Sequence, residues 1–159
     1  MYFGESHVSV DDKGRVAIPV NFRSLMKALG HETWFVTRGF DNALFLFNVA
    51  KWEELIHAGK GSMLDPRLLD FRRLFVGSVA MCKLDGQGRL PVPALLREYA
   101  GIGREAIILG VDDHLELWSV TGWKAFQERQ AQEYKRMAAE LFGRPADGGQ
   151  TTNGGCAGC

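Results

Sequence analysis

Apolar and polar positions alternate in short blocks along this chain, and the same block order occurs twice. In RVAIPV, Val16 and Ile18 alternate with Arg15 and Ala17, which predicts a short strand with one apolar face. Pro19 then fits the first position of a helix over NFRSLMKALG, with Gly30 as its stop. His7 to Val10 reads as a strand before the turn Asp11 to Gly14, where the aspartate can form an Asx-turn and the glycine supplies a positive φ. WFVTRG and ALFLF flank Asp41 and Asn42 as a hairpin. The second block repeats these devices. Leu90 and Val92 alternate, Pro93 opens ALLREYAG, Gly101 stops it, and AIILGV and HLELW flank Asp112-Asp113.

VDDKGRVAIP (10 to 19) matches LDGQGRLPVP (84 to 93), pairing Asp11 with Asp85, Gly14 with Gly88 and Arg15 with Arg89, each 74 residues apart. Farther on, FDNALFLFNVAKW matches VDDHLELWSVTGW 71 residues later, pairing Phe47 with Trp118 and Trp52 with Trp123. Such self-similarity implies two copies of one supersecondary unit. The copies span 5–60 and 78–142, with a helical connector at 61–77 and a Gly-rich tail at 143–159 expected to be disordered.

Three further helical patterns are legible. Lys51 to Ala58 presents Trp52, Leu55 and Ile56 on one side. Asp65-Pro66 is a start signal, after which Leu68, Phe71 and Phe75 form an apolar stripe opposite Arg67, Arg72 and Arg73. Thr121 is placed to cap one long helical segment through Trp123, Phe126, Tyr134, Met137 and Leu141, ending near Gly143 and Pro145.

Composition narrows the function. With 159 residues, 46% hydrophobic and 24% charged, the chain can build a real core. Nineteen basic and nineteen acidic residues give a formal net charge of zero, so a polyanionic partner must be met by a local patch. Such a patch is available between Lys60 and Arg104, where eight basic residues face four acidic ones. No run approaches the roughly 18 apolar residues of a membrane span, and MYFGESHVSV lacks a basic leader. A cytoplasmic protein in a reducing compartment is the expectation. Cys82 lies in an apolar stretch, while Cys156 and Cys159 have C-x-x-C spacing in the tail without a second pair or a nearby histidine, so neither a metal nor a redox site is expected.

An enzyme is not expected either. His7, His31, His57 and His114 are dispersed, and neither a G-x-S-x-G nor a phosphate loop occurs. Asp112 and Asp113 are accounted for by the hairpin turn. No catalytic residue, cofactor or small-molecule substrate is assigned. What stands above background is the duplicated D-x-x-G-R. An arginine fixed at the rim of a sheet by an aspartate-braced turn suits a phosphate or the O6 and N7 acceptors of guanine. The alternative, equally open from spacing, is that Asp11 with Arg15 and Asp85 with Arg89 merely pair across their own turns.

The two D-x-x-G-R elements, RGFDNALFLFNVAKW, and LFVGSVAMCKLDGQGRLPVPALLREYAGI closely resemble the MraZ transcriptional regulators of bacteria, from Met1 to about Leu141. The resemblance implies an α+β fold: a duplicated AbrB-like swapped hairpin, or double-split β-barrel, with short flanking helices, its repeats interleaved and its subunits closed into a ring-forming homo-oligomer. It also implies a cytoplasmic, nucleoid-associated repressor. Such a protein binds double-stranded DNA at direct repeats in its own promoter, ahead of the division and cell-wall gene cluster. On this sequence the DNA-binding positions are Lys13, Gly14, Arg15, Gly88 and Arg89, with Asp11 and Asp85 bracing the turns. Gln87 stands where the first loop has Lys13, so the copies are not electrostatically equivalent, and Arg89 either reads DNA or braces an interface. A ring-forming adaptor that uses the same fold without DNA is the competing reading.

Overall fold

The computed structural model describes residues 1–59, 61, 62 and 64–143; the expected disordered tail and both of its cysteines lie, apart from Gly143, outside the described residues. Residues Met1–Phe126 form one compact unit, and a second begins at Gln127.

The elements of the first copy are β1 (Tyr2–Ser9), β2 (Arg15–Ala17), α1 (Val20–Ala28), β3 (Thr33–Arg38), β4 (Leu44–Asn48) and α2 (Val49–Ala58). After α3 (Pro66–Phe75) come β5 (Ala80–Lys83), β6 (Arg89–Pro91), α4 (Ala94–Ala100), β7 (Glu105–Asp112), β8 (His114–Trp118) and α5 (Val120–Gln130). In the second unit lies α6 (Tyr134–Phe142). Pro19 and Pro93 sit one position earlier than expected, as the residues immediately preceding α1 and α4. Gly30 and Gly101 follow those helices at φ 70° and 62°, as stop signals require.

Six strands form an antiparallel sheet in the order β1-β7-β8-β4-β3-β5, and β2 pairs with β6 separately. This order is palindromic in the two copies. The first strand of each copy is hydrogen-bonded to the third strand of the other: β1 to β7 from Tyr2↔Asp112 to Ser9↔Glu105, and β5 to β3 from Ala80↔Val36 to Lys83↔Thr33. At the middle, β4 meets β8 through Leu44↔Leu117 and Leu46↔Leu115, four fully buried leucines. The copies therefore exchange strands, and neither can complete its sheet alone. The exchange also explains why β1 is longer than the expected His7 to Val10: its full-length partner lies about a hundred residues away, beyond the reach of local alternation.

The crossing of β2 and β6 is the second point of exchange. Arg15↔Pro91, Val16↔Leu90 and Ala17↔Arg89 are partners, and Val16 and Leu90 are fully buried. Around them pack Phe22 and Met26 of α1 and Leu96 and Ala100 of α4, the inward positions of the two matching helices. Both hairpins turn on left-handed acidic residues, with Asp41, Asn42 and Asp112 at φ 55°, 60° and 64°.

Three helix expectations require correction. Asn48 caps α2, accepting from the Lys51 amide at 3.0 Å, and its counterpart Ser119 caps α5, accepting from the Gly122 amide at 2.9 Å; Thr121 is inside the helix. The long segment after Thr121 is two helices, because the aromatic anchorage of Trp123 and Phe126 on Trp118 ends at Phe126 and a turn follows at 131–133. On α3, Asp65 caps as expected, accepting from the Arg67 amide at 2.9 Å, but no residue is buried. Phe75 stacks on Trp52 at 5.6 Å, whereas Phe71, Leu69 and Leu74 face solvent.

The exchange makes Leu90 a shared core residue. Leu90→Ala is expected to cost about 2–5 kcal/mol, the usual range for a buried leucine, read from urea unfolding. A loss below about 1 kcal/mol would show that the β2–β6 crossing is peripheral to the core.

Candidate functional site

The two D-x-x-G-R turns lie at the ends of β2 and β6 and are built alike. The amide of Gly14 donates to the Asp11 carbonyl at 3.0 Å and that of Gly88 to the Asp85 carbonyl at 3.0 Å. Asp11 Oδ1 accepts from the amides of Lys13 at 3.0 Å and Arg15 at 2.9 Å, and Asp85 Oδ1 from those of Gln87 at 2.9 Å and Arg89 at 3.0 Å. These are Asx-turns. Gly14 and Gly88 have φ 78° and 75°, a conformation that disfavours a side chain. Their carbonyls then accept from Val92 and Ile18 of the opposite copy, both at 3.1 Å, so each turn is fastened to its neighbour.

The second carboxylate oxygens join the turns electrostatically. Arg15 Nε donates to Asp11 Oδ2 at 2.6 Å and Arg89 Nε to Asp85 Oδ2 at 3.0 Å. Across the copies, Arg89 Nη1 donates to Asp11 Oδ2 at 3.3 Å, and Arg15 Nη1 lies 3.9 Å from Asp85 Oδ2. Both open readings of the motif thus describe one arrangement: the arginines pair with their own aspartates, and that pairing fixes their direction. The four side chains remain 25–29% exposed, and their charges cancel.

Two further arginines belong to the site and carry no motif. An added Cβ at Gly14 would lie 2.5 Å from the Arg97 guanidinium, and one at Gly88 would lie 2.7 Å from Arg23 Nη1. The guanidinium of α4 therefore covers the first turn and that of α1 the second. Arg97 Nε donates to the Val92 carbonyl at 3.0 Å, whereas Arg23 Nε is buried without a partner among the described residues. A signal for them was present in the sequence, because Arg23 and Arg97 are also 74 residues apart. Lys13 and Gln87 are exposed at the two turn tips.

The histidines are spread over separate local contacts. His31 Nδ1 lies 2.6 Å from the Tyr2 hydroxyl, His57 Nδ1 2.6 Å from the Glu53 carbonyl, and His7 3.5 Å from Glu105. His114 sits between Asp113 and Glu116 at 2.7 and 3.2 Å, near the Lys51–Asp113 ion pair. Cys82 is buried, and desolvation pushes its thiol up to about 11, leaving it protonated at neutral pH. Among the described residues no helix is long and apolar enough to cross a membrane.

The turn amides hold both aspartates ionised. The Arg15 amide, aided by its side chain, lowers Asp11 below the ordinary 3.8, and the Arg89 amide does the same for Asp85. A depressed folded pKa stabilises the fold above the unfolded value, and that contribution is lost as pH falls through the folded one. Wild type is therefore expected to lose thermal stability as the pH falls below about 3.8, and the Asp11→Asn, Asp85→Asn double variant to lose less over the same interval. Circular dichroism melts check this, and parallel curves for the two proteins would disprove the account.

The family described as "MraZ protein, putative antitoxin-like" matches residues 1–65 and 75–144, taking in both turns and both arginine-bearing helices. The chain is 35% identical over 144 residues to a protein of Natranaerobius thermophilus, covering 89% of this chain and 96% of that one. It is 37% identical over 139 residues to one of Symbiobacterium thermophilum, covering 87% and 98%, and 38% identical over 143 residues to one of Syntrophomonas wolfei, covering 89% and 96%. Each of these relatives is named "Transcriptional regulator MraZ", a regulator rather than an enzyme. With the family matched over nearly all of the described residues and its relatives aligned along almost their full length, this chain belongs to the MraZ family.

Proposed function

We propose that the protein is a DNA-binding transcriptional regulator that reads direct repeats in its own promoter and represses the division and cell-wall gene cluster from the cytoplasm and nucleoid. The observation that carries this reading is the locked pair of turns. A carboxylate on Nε fixes the plane of each guanidinium and leaves the Nη2 edge of the fork for an outside acceptor. Preorganised arginines lose little side-chain freedom on binding, so Arg15 and Arg89 suit guanine or phosphate. Lys13 at the first tip adds an unpaired charge.

The strand exchange between copies 5–60 and 78–142, with 61–77 as connector, supports assignment to the AbrB-like swapped hairpins. A ring of such subunits supplies what zero net charge cannot, because identical sites engaging successive repeats multiply affinity. Exposed Phe40, Phe71 and Leu74 form an apolar face suited to a neighbouring subunit. One observation favours the adaptor reading: the Asp11, Arg15, Asp85, Arg89 quartet neutralises itself, as a purely structural cluster would.

Titrating the full chain with duplex DNA from upstream of its own gene separates the two. Arg15→Ala is expected to weaken binding roughly tenfold or more, the equivalent of one lost bidentate contact, while the oligomer stays intact by size-exclusion chromatography. Affinity should fall with salt at a log–log slope near −0.9 per phosphate neutralised. Tight binding by Arg15→Ala would remove that residue from the interface, and a wild type indifferent to the duplex would establish the adaptor.

A further inference from the structure

The halves of the molecule match wherever they interlock and differ where cations are concerned. Beside the second turn lies a cavity of about 260 Å³ lined by Arg23, Met26, Lys27, His31, Lys83 and Leu84, with Glu32 at its edge. Three of these side chains are cationic. No carboxylate among the described residues comes within ion-pair distance of Lys27 or Lys83, and Arg23 Nε is buried with no acceptor. At the corresponding places beside the first turn, 74 residues away, Lys27 is matched by Gly101 and Lys83 by Ser9, and Arg97 Nε is satisfied by Val92. The orphaned donor and both lysines thus belong to one half only. That half is also the one whose tip carries Gln87 in place of Lys13.

We infer that Arg23, Lys27 and Lys83 form a phosphate-binding site that engages a backbone phosphate of DNA held at the second turn, replacing the charge that Gln87 lacks. This rests on the DNA-binding reading above. The cavity is smaller than the roughly 300–1,000 Å³ of pockets that enclose drug-sized ligands, and a single phosphate needs no more. Convergent donors from an arginine fork and two ammonium groups are what a tetrahedral dianion or a diester phosphate recruits. Arg23 lies against Gly88, so the site is continuous with the turn that presents Arg89. His31 contributes no charge: burial pulls its pKa below the ordinary 6.5. Phosphate contacts position a protein on DNA without reading sequence.

The test compares the full-length wild type with Lys27→Gln, Lys83→Gln and the double variant, on the upstream duplex and on a scrambled duplex of equal length, across a salt series. The site predicts that each substitution weakens both duplexes by the same factor and makes the salt slope shallower by about 0.9 per lysine. Lys27→Arg with Lys83→Arg should restore binding. Unchanged slopes in the double variant, with Arg15→Ala still impaired, would overturn this site and leave the DNA-binding reading standing. A loss confined to the upstream duplex would also overturn it, since base readout is then involved. Inorganic phosphate, titrated calorimetrically without DNA, distinguishes a free anion: lysine-dependent binding of the ion with unaltered DNA affinity would refute the DNA assignment. If wild type binds neither duplex, both readings fall together.

Discussion

Two carboxylates, Asp11 and Asp85, hold the crossing on which this fold depends. Strands of three residues cannot persist alone, and β2 and β6 share only three residue pairs. Each aspartate first closes its own turn by accepting two amides, then spends its second oxygen on an arginine from its own copy, and Asp11 bonds that of the other copy as well. The interlocking carbonyls of Gly14 and Gly88 complete the crossing, and the leucine and valine beneath it become core. Because the crossing ties the copies together, β1 is free to pair with β7 and β5 with β3, and the long sheet follows.

Local chemistry was legible in the sequence, and partner choice was not. Turns at Asp11, Asp41, Asp85 and Asp112 announce themselves because the residue at each corner determines its own backbone geometry. Repetition at a fixed spacing exposed the two copies without any knowledge of contacts. Alternation in a strand, however, says which face is buried and nothing about which strand lies alongside, so the exchange and the full length of β1 needed coordinates. The apolar stripe of α3 misled for a related reason: periodicity marks a face that seeks cover, and Phe71 and Leu74 find none within the described residues. No glycine or proline marks the break after α5, which comes where aromatic anchorage ends.

For the candidate site, the motif pointed to Asp11, Arg15, Asp85 and Arg89 and left open whether the arginines pair or project. The geometry makes this a false choice. A guanidinium offers five donors in a rigid fork, so bonding an aspartate through Nε orients the remaining donors without exhausting them. Arg23 and Arg97 were overlooked because they sit in helices with no turn signature, although the repeat spacing linked them too.

Duplication followed by divergence explains why the two halves need not contribute equally. Residues that form the crossing are constrained in both copies, since changing one Asp or Gly would strand its partner's arginine or clash with the covering one. Residues outside it carry no such obligation, and there the copies diverge: Lys13 against Gln87, Ser9 against Lys83, Gly101 against Lys27. The quartet at the centre is neutral, so any long-range attraction for a polyanion must originate in these peripheral cations rather than in the motif itself. Orientation is thus supplied by the part of the site that cannot vary, and charge by the part that can, which lets a chain of zero net charge tune its electrostatics without disturbing the fold.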